Sequence, residues 1–499
     1  MPARLSPHNL AAITRLPKGQ VSHRLFFFDE ALPSGAHNVH PIYAPVTKVP
    51  VSFEMPLGEE VSIATFASSI LPLEGGGYRL YATARRGMRN SMGIHVWESE
   101  NGLSWHSLPL RPQDTSEASN LIIIEGVPGD TSYMGQPQIV PLRDGRWRVY
   151  FWKHRDDHLR YVIAESEEGL HWRVRDFERP ALFHPLDGGL WEWASGLSPE
   201  PIGERAALSP TEVLRHKRLA SNDATYVYYN DLLDRYECYS VWLHPAIPDR
   251  RVEVDNAPGV HRVLHRRLSV DGLDWGDPEI ILLPDARDPW DLQFYYLAVQ
   301  WHLDWMIGSA GHYRVEADQQ TQDLQLCFSR DGKRWTRPVR GGFIPRPPVE
   351  TEAQDCRGIY APNVWIDRGD RWLILYTATP DPHNRPRGRS RPMGATFAKN
   401  RFVGLAAGRV TGGFMTEPFI QAAPQITLDA DIRGWLRAEL CDGFGRKLPG
   451  HHLMDCLPLQ GDDEAHVLRW RDQPTDLHRY ECLRLRFEYV DGEIYGVSF

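Results

Sequence analysis

The sequence predicts an all-β protein, in which a five-bladed β-propeller is followed by a C-terminal β-sandwich. Three observations indicate this architecture. The chain of 499 residues is rich in turn formers, with 41 glycines and 39 prolines, and in aromatic residues, with 17 tryptophans, 19 tyrosines and 18 phenylalanines. Aromatic residues favour strands, whereas glycine and proline favour the tight turns between them. One short phrase also recurs four times along the chain.

The recurring phrase places a glycine three residues after a serine and a tryptophan three residues after that glycine. Its copies are ESENGLSW, ESEEGLHW, LSVDGLDW and FSRDGKRW, which end at Trp105, Trp172, Trp275 and Trp335. Each copy follows an alternating apolar run, so a strand enters a turn in which glycine supplies a positive φ. Two more strand-like runs precede each copy. Four strands in a repeated unit are typical of a propeller blade.

A fifth unit follows without the tryptophan phrase, in the runs YAPNVWID and RWLILYTATP. Five blades then fit residues 50–410, and residues 1–49 form an N-terminal segment that leads into them. Beyond residue 410 the runs ITLDAD, GWLRAELCD and LRLRFEYVDG lack the phrase, which predicts a β-sandwich over residues 411–499. The second and third copies are unusually far apart, so we expect a long loop over about residues 177–220.

Charge and hydropathy exclude several classes of partner. Lysine and arginine number 56 against 65 aspartates and glutamates, a net charge of −9, which argues against nucleic acid or an anionic membrane. No apolar run approaches the roughly 18 residues of a membrane span, and the first twenty residues lack the apolar stretch of a secretory signal. The six cysteines show no metal-ligand pairing. We therefore expect a soluble, cytoplasmic protein, and we leave its oligomeric state open.

The S-x-D-G-x-x-W turns and the order of the predicted domains resemble the furanosidase-like glycoside hydrolases, families 32 and 43 and their unclassified relatives. The opening RLFFFDEALPSGAHNVHPIY and the later segments DPWDLQFYYLAV, DCRGIYAPNVW and LRAELCDGFGRKLPGHHLMDCLPLQGD are similar to landmarks of the unclassified branch. The resemblance covers nearly the whole chain and implies a saccharide or glycoside as substrate. The WMNDPNG-like segment of family 32 and the first-blade aspartate of family 43 have no counterpart here. The family 32 triplet Arg-Asp-Pro recurs at 287–289, where we interpret it as coincidence.

Candidate catalytic residues lie where the innermost strands of the blades begin, because these strand ends surround one mouth of the central channel. The positions are Glu60, Gln136, Asp223, Asp291 and Asp355. Glycoside hydrolysis needs one carboxylic acid to protonate the leaving oxygen and one carboxylate to attack the sugar or activate water. We predict Asp223, Asp291 and Asp355 as catalytic residues, and Glu60 and Gln136 as substrate-binding residues. The alternative is that each aspartate only caps a turn.

Further substrate-binding candidates flank these positions. Trp290 and Tyr295 lie close to Asp291 in sequence and offer flat apolar faces to a sugar ring, although most such aromatic residues belong to blade cores. Arg357 follows Asp355 by two residues and so shares its side of an extended strand. There a guanidinium could hold a carboxylate or an acidic substituent of the ligand.

Alternation suggests two more binding candidates. His312, Arg314 and Glu316 share one face of an extended chain, so His312 and Glu316 are substrate-binding candidates, and a charged hairpin edge is the simpler alternative. His154 and His158 have the spacing of a helical metal pair but fall in a predicted turn. The sequence contains neither a P-loop nor a dinucleotide fingerprint. We expect no metal and no organic cofactor.

Three functions remain open at this point. The first is a glycoside hydrolase that cleaves a small saccharide or glycoside by paired-carboxylate chemistry in the axial pocket. The second is an isomerase, a cyclase or a phosphorylase that acts on a polar metabolite. A phosphorylase would need cations for phosphate, which His312, Arg314 and Arg357 could supply. The third is a non-catalytic carbohydrate-binding protein.

Overall fold

The computed structural model describes residues 2–7, 10, 14–55, 61–86, 92–110, 120–127, 134–155, 158–184, 224–245, 260–315, 320–383, 388–471, 480 and 482–499. Regular structure in these ranges consists of 31 strands and a short 3-10 helix at Val349–Thr351, which confirms the prediction of an all-β protein. In the same ranges no helix is long and apolar enough to cross a membrane. All six cysteines are free thiols. The predicted long loop lies outside the described residues from residue 185 onward.

Four short strands precede the first sheet. They are β1 (Arg24–Leu25), β2 (Ser34–His37), β3 (Val39–Tyr43) and β4 (Thr47–Val49). The first sheet comprises β5 (Ser52–Phe53), β6 (Val61–Pro72), β7 (Tyr78–Arg86), β8 (Met92–Ser99) and β9 (Ser104–Ser107), in the order β5-β9-β8-β7-β6. Its neighbours are antiparallel except β5 and β9. The strands from β6 to β9 therefore form a simple meander.

The second and third sheets repeat this meander. The second comprises β10 (Ile123–Glu125), β11 (Met134–Pro141), β12 (Trp147–Arg155), β13 (His158–Ser166), β14 (His171–Val174) and β15 (Leu182–Phe183), in the order β10-β14-β13-β12-β11 with β15 beside β13. The third comprises β16 (Tyr226–Asn230), β17 (Arg235–Pro245), β18 (Val260–Ser269) and β19 (Glu279–Leu282), in sequence order. In all three sheets the first strand of the meander lies at one edge.

A fourth sheet of eight strands holds two further meanders. Its strands are β20 (Leu292–His302), β21 (Trp305–Arg314), β22 (Thr321–Ser329), β23 (Gly358–Tyr360), β24 (Ile366–Asp367), β25 (Arg371–Thr379), β26 (Arg391–Ala398) and the N-terminal β4. Only the pairing of Gln322 with Gly358 joins β22 to β23. We number the meanders units 1 to 5, beginning with β6, β11, β16, β20 and β23. β4 completes unit 5 by pairing with β26.

The C-terminal region forms the fifth sheet together with the start of the chain. Its own strands are β27 (Val403–Ala407), β28 (Gly412–Met415), β29 (Thr427–Asp442), β30 (Leu459–Val467) and β31 (Leu483–Ser498). β31 pairs with β1, β27, β28 and β29, while β2 pairs with β28 and β3 with β27. One sheet thus includes strands from both sides of residue 410 and three strands of the N-terminal segment.

The recurring phrase forms the same turn four times. In each copy the glycine N–H donates to the serine hydroxyl at 2.8–2.9 Å, in the pairs Ser99/Gly102, Ser166/Gly169, Ser269/Gly272 and Ser329/Gly332. The four glycines have φ between +69° and +82°, and the four tryptophans are buried. The predicted role of glycine in this turn is therefore confirmed.

Two of these glycine turns contact a tyrosine of the preceding unit. The Tyr81 hydroxyl on β7 donates to the carbonyl of Gly169 at 2.6 Å, and the Tyr150 hydroxyl on β12 donates to the carbonyl of Gly272 at 2.7 Å. A Cβ added at Gly169 would lie 3.0 Å from the Tyr81 oxygen. The turns therefore connect unit 1 to unit 2 and unit 2 to unit 3.

The remaining two turns extend this pattern. A Cβ added at Gly332 would lie 2.8 Å from the hydroxyl oxygen of Tyr239 on β17, so unit 3 contacts unit 4. One added at Gly102 would lie 2.8 Å from Cδ1 of Ile366 on β24, so unit 5 contacts unit 1. Glycine is required at these positions by the neighbouring unit as well as by its own φ.

The first strands of the units converge on one buried point. The Tyr226 hydroxyl on β16 donates to the carbonyl of Ala361 at 2.8 Å and accepts from the Ala67 N–H on β6 at 3.3 Å. Gln138 on β11 donates to the carbonyl of Ala67 at 2.7 Å. Tyr296 on β20 donates to a carbonyl of β23 at 3.1 Å. All five units therefore meet here.

We expect Gly332→Ala to destabilise the protein by about 2–4 kcal/mol. The left-handed backbone costs an L residue about 1–2 kcal/mol, and the added Cβ crowds the buried Tyr239. Gly369→Ala is the matched control, because Gly369 also has positive φ but a Cβ there meets nothing within 4 Å. The measurement is the free energy of unfolding in urea. Equal losses for the two variants would contradict a role for the contact between units.

His302 should make stability depend on pH. Burial lowers its pKa to about 4, and its ring packs against Phe26, Trp372 and Phe402. The unfolded chain has the ordinary value near 6.5 and binds more protons between these limits, so stability falls as the pH falls below about 6.5.

We expect His302→Gln to remove about 2 kcal/mol of the decline in unfolding free energy between pH 7 and pH 5. Urea titrations at both pH values measure this. The exposed His106→Gln variant is the control and should retain the wild-type decline. If the unfolding free energy of His302→Gln fell as much between pH 7 and pH 5 as that of the wild type, the predicted role of His302 would be wrong.

Candidate functional site

Irregular backbone marks the first strands of the units near the point of convergence. Ala67 on β6 and Gln136 on β11 have positive φ, +46° and +56°. The pairing of β20 with β21 shifts register between Phe294 and Leu297. Bulges of this kind redirect side chains, and left-handed L residues cost about 1–3 kcal/mol each, so they persist where the surroundings enforce them. Bulges and left-handed L residues are both common at functional sites.

The bulge in β20 places Tyr295 among rings from other strands. The ring centroid of Tyr295 lies 4.4 Å from that of His383, 5.9 Å from those of Phe66 and Tyr313, and 6.2 Å from that of Tyr360. We call these five residues the aromatic cluster. They come from β6, β20, β21, β23 and the loop after β25, and thus from units 1, 4 and 5.

Polar groups accompany these rings. The Tyr360 hydroxyl and His383 Nδ1 form a hydrogen bond of 2.8 Å. Unit 3 contributes Arg262 of β18, whose guanidinium carbon lies 5.3 Å from the ring centroid of Tyr295 and 5.8 Å from that of Tyr313. Both distances are within the range of cation–π attraction. Phenol hydroxyls, an imidazole and a guanidinium therefore lie together with the aromatic rings, of which the three tyrosine rings are buried and the other two are half-buried.

Asp291 lies directly before the strand that carries Tyr295. Its side chain is 1% exposed, and Arg314 Nε, at the end of β21, donates to its Oδ1 at 2.7 Å. Trp290, next to it, is 74% exposed. The sequence-predicted residues Asp291 and Tyr295 thus belong to one hairpin end, with a buried carboxylate held in a fixed orientation.

Asp355 is also buried, but it has different partners. Its Oδ2 accepts hydrogen bonds from Lys48 Nζ on β4 at 2.5 Å and from the Tyr376 hydroxyl at 3.0 Å. Burial, together with the Asp355 carboxylate, raises the pKa of Tyr376 far above its usual range, so this phenol remains a donor. Asp355 therefore connects the N-terminal β4 to unit 5.

The other described candidates lie in different surroundings. The Gln136 side-chain oxygen is buried and finds no hydrogen-bond partner in the described part of the chain. His312 alternates with Tyr313 along β21 and so faces the opposite side of the sheet, where burial lowers its pKa to about 4 and keeps it neutral near pH 7. Arg357 is half-buried, and its carbonyl accepts from the Gln322 N–H at 2.8 Å.

Three predicted site residues, Glu60, Asp223 and Glu316, lie outside the described residues. Within the described ranges no group of three or more His, Cys, Asp or Glu side chains could hold a metal ion. Asp288 of the Arg-Asp-Pro triplet makes a bidentate pair with Arg337 at 2.7 and 2.9 Å, and both side chains are buried. That geometry indicates a structural role for the triplet.

Three groups that contact the candidate residues were not predicted from the sequence: His383, Arg262 and Lys48. His383 follows a strand in the proline-rich run TPDPHNRP, two residues after the buried Asp381. A polar pair bounded by prolines at the end of a strand was a usable signal. Arg262 and Lys48 lie on ordinary alternating strands, which gave no local sign of their contacts.

No protein-family model matches the chain, and no curated protein matches it by sequence. Solved structures do resemble it. One, described as a glycoside hydrolase, has 13% identity over 71% of this chain and 92% of its own, with a TM-score of 0.47. A thermostable family-43 glycoside hydrolase has 14% identity over 69% and 92%, with a TM-score of 0.41.

An N-acetylgalactosamine deacetylase from F. plautii, in complex with blood group B trisaccharide, has 14% identity over 72% of this chain and 96% of its own, with a TM-score of 0.42. Glycoside hydrolases, one of family 43 among them, are therefore among the proteins that this chain resembles in structure, as its sequence indicates.

Proposed function

We propose that this protein is a glycoside hydrolase that cleaves a small saccharide or glycoside, and that the sugar binds at the aromatic cluster. The observation that carries the proposal is the meeting of the cluster with Arg262, which brings together side chains from four units. Ligand sites combine aromatic walls with a few convergent polar groups. Sugars present apolar ring faces and hydroxyl groups, which match both features.

We further propose that the five units close into a five-bladed propeller. The glycine turns connect units 1 to 2, 2 to 3, 3 to 4 and 5 to 1, and the β22–β23 pair connects unit 4 to unit 5. Such a cycle of contacts supports closure, with β4 as the last strand of unit 5. Residues 411–499 are proposed as the β-sandwich, to which β27 and β1 to β3 add strands.

In the proposed chemistry, Asp291 and Asp223 form the carboxyl pair and Asp355 is an orienting carboxylate. One carboxylic acid gives its proton to the glycosidic oxygen as the C–O bond breaks, and the other carboxylate attacks the anomeric carbon or takes a proton from the attacking water. Asp291, fixed by Arg314 directly before the strand that carries Tyr295, suits the second role. Asp355 suits the orienting role because Lys48 and Tyr376 both bind its Oδ2.

We expect Asp291→Asn to lower kcat by about 10²–10⁴-fold on any glycoside that the wild type cleaves, because acid–base groups contribute at this level. The measurement is p-nitrophenol release from a panel of aryl furanosides and pyranosides. Asp304→Asn is the matched control, because Asp304 pairs with Arg330 at the opposite end of the same hairpin. Full activity in Asp291→Asn, or a folded wild type inactive on every glycoside, would defeat the proposal.

A phosphorylase is the second candidate, because Arg262 is a cation beside the cluster and Arg314 is a cation that pairs with Asp291. For a hydrolase we expect the rate of sugar release to be the same with and without inorganic phosphate. A rate that requires phosphate, with a sugar phosphate as product, would instead identify a phosphorylase. In that case Arg262→Gln should abolish the phosphate-dependent release of sugar.

A further inference from the structure

A cleft lies on the C-terminal sheet, lined mainly by the segment LRAELCDGFGRKLPGHHLMDCLPLQGD, which the aromatic cluster does not use. Its volume is about 620 Å³, a size typical of sites for small ligands. The strands β29 and β31 form its floor, and residues 447–458 form its wall. Lining residues include Trp435, Arg437, Glu439, Lys447, Met454 and Glu488.

The floor of the cleft follows from strand alternation. Trp435, Arg437 and Glu439 occupy every second position of β29, so they share one face. Across the ladder, Arg437 pairs with Glu488 and Glu439 pairs with Arg486 on β31. Opposite charges thus alternate both along β29 and across the β29–β31 ladder. The indole of Trp435 lies at one end of the row of side chains on β29.

Glu439 is the most buried charged group of the cleft. Its side chain is 2% exposed, and two cationic side chains and an imidazole surround its carboxylate: Lys447 at 3.1 Å, Arg486 at 3.8 Å and His452 at 3.9 Å. A buried carboxylate with several partners is a fixed feature rather than a mobile surface charge. The polar floor of the cleft therefore has a fixed arrangement without a ligand.

The apolar side of the cleft is held in place as well. Arg437 Nη1 donates to the carbonyls of Leu453 and Met454, both at 3.3 Å, which secures the wall against the sheet. Met454 is nevertheless 72% exposed and Trp435 38% exposed. Exposed apolar side chains beside a cleft indicate a contact surface for a ligand.

We propose that this cleft binds a neutral, hydroxyl-rich saccharide. Two cations, Arg437 and Lys447, balance two carboxylates, Glu439 and Glu488, so the lining selects neither strongly anionic nor strongly cationic ligands. The carboxylates disfavour a nucleic acid, and the charged floor disfavours the apolar face of a helix. Hydroxyl groups both donate and accept, which suits alternating charges, and a sugar ring can stack on Trp435.

The test is binding of cellotriose, xylotriose, mannotriose and maltotriose to the full chain, by saturation-transfer NMR and calorimetry. It is performed in the Asp291→Asn background, so that turnover does not interfere. We expect at least one trisaccharide to bind, and Trp435→Ala and Arg437→Met each to weaken that binding at least tenfold. Phe444→Ala, an 88% exposed residue after β29 that does not line the cleft, is the matched control and should bind as before.

Measurements of saccharide binding and of glycoside turnover distinguish the cleft from the aromatic cluster. Tyr295→Ala in the aromatic cluster should leave binding at the cleft unchanged, while Trp435→Ala in the wild-type background should leave aryl glycoside turnover unchanged. The inference fails if no neutral trisaccharide binds the folded chain. It fails equally if Trp435→Ala and Arg437→Met bind like the control, or if trigalacturonate binds and the neutral sugars do not.

Discussion

The contact between a glycine turn and a side chain of the preceding unit is the constraint on which the rest of this fold depends. Burial raises the pKa of Tyr81 to about 12, so its hydroxyl stays protonated and needs an acceptor, which the carbonyl of Gly169 provides. A side chain in place of that glycine would block the approach. The phrase therefore repeats in the sequence because the interface between units repeats, and the tryptophan that ends each copy is buried.

The convergence of the first strands of the units explains how a site can form from residues that are distant in the sequence. The first strands meet around Tyr226, so neighbouring positions in the aromatic cluster come from residues hundreds of positions apart, such as Phe66 and His383. The positive φ at Ala67 and Gln136 is compatible with this arrangement, because buried hydrogen bonds across the units hold both strands in place. Rigid strands, rather than loops alone, thus position most of the cluster.

Local signals explain what could be predicted from the sequence. The strands and the serine–glycine turn follow from alternation and from positive φ, both of which act within a few residues. Asp291 and Tyr295 could be proposed because they begin a first strand. Alternation also predicts that His312 and Arg314 share one face of β21, but it does not predict which neighbouring residues contact that face. Arg262 escaped notice because its significance arises only from contacts between units. The proline-bounded run around His383 gave a local signal for that residue but none for its partners, and Glu60, Asp223 and Glu316 stay predictions.

The N-terminal segment connects unit 5 to one of the candidate carboxylates. β4 pairs with β26, and its Lys48 binds Asp355, while β1 to β3 pair within the C-terminal sheet. Removing the charge of Asp355 would therefore remove this partner of Lys48 and loosen β4, so a loss of activity would reflect either the chemistry or the loss of β4 from unit 5. Among the described residues, Asp291 pairs with its own hairpin through Arg314. For this reason Asp291 separates the chemical role from the structural one more cleanly than Asp355 does.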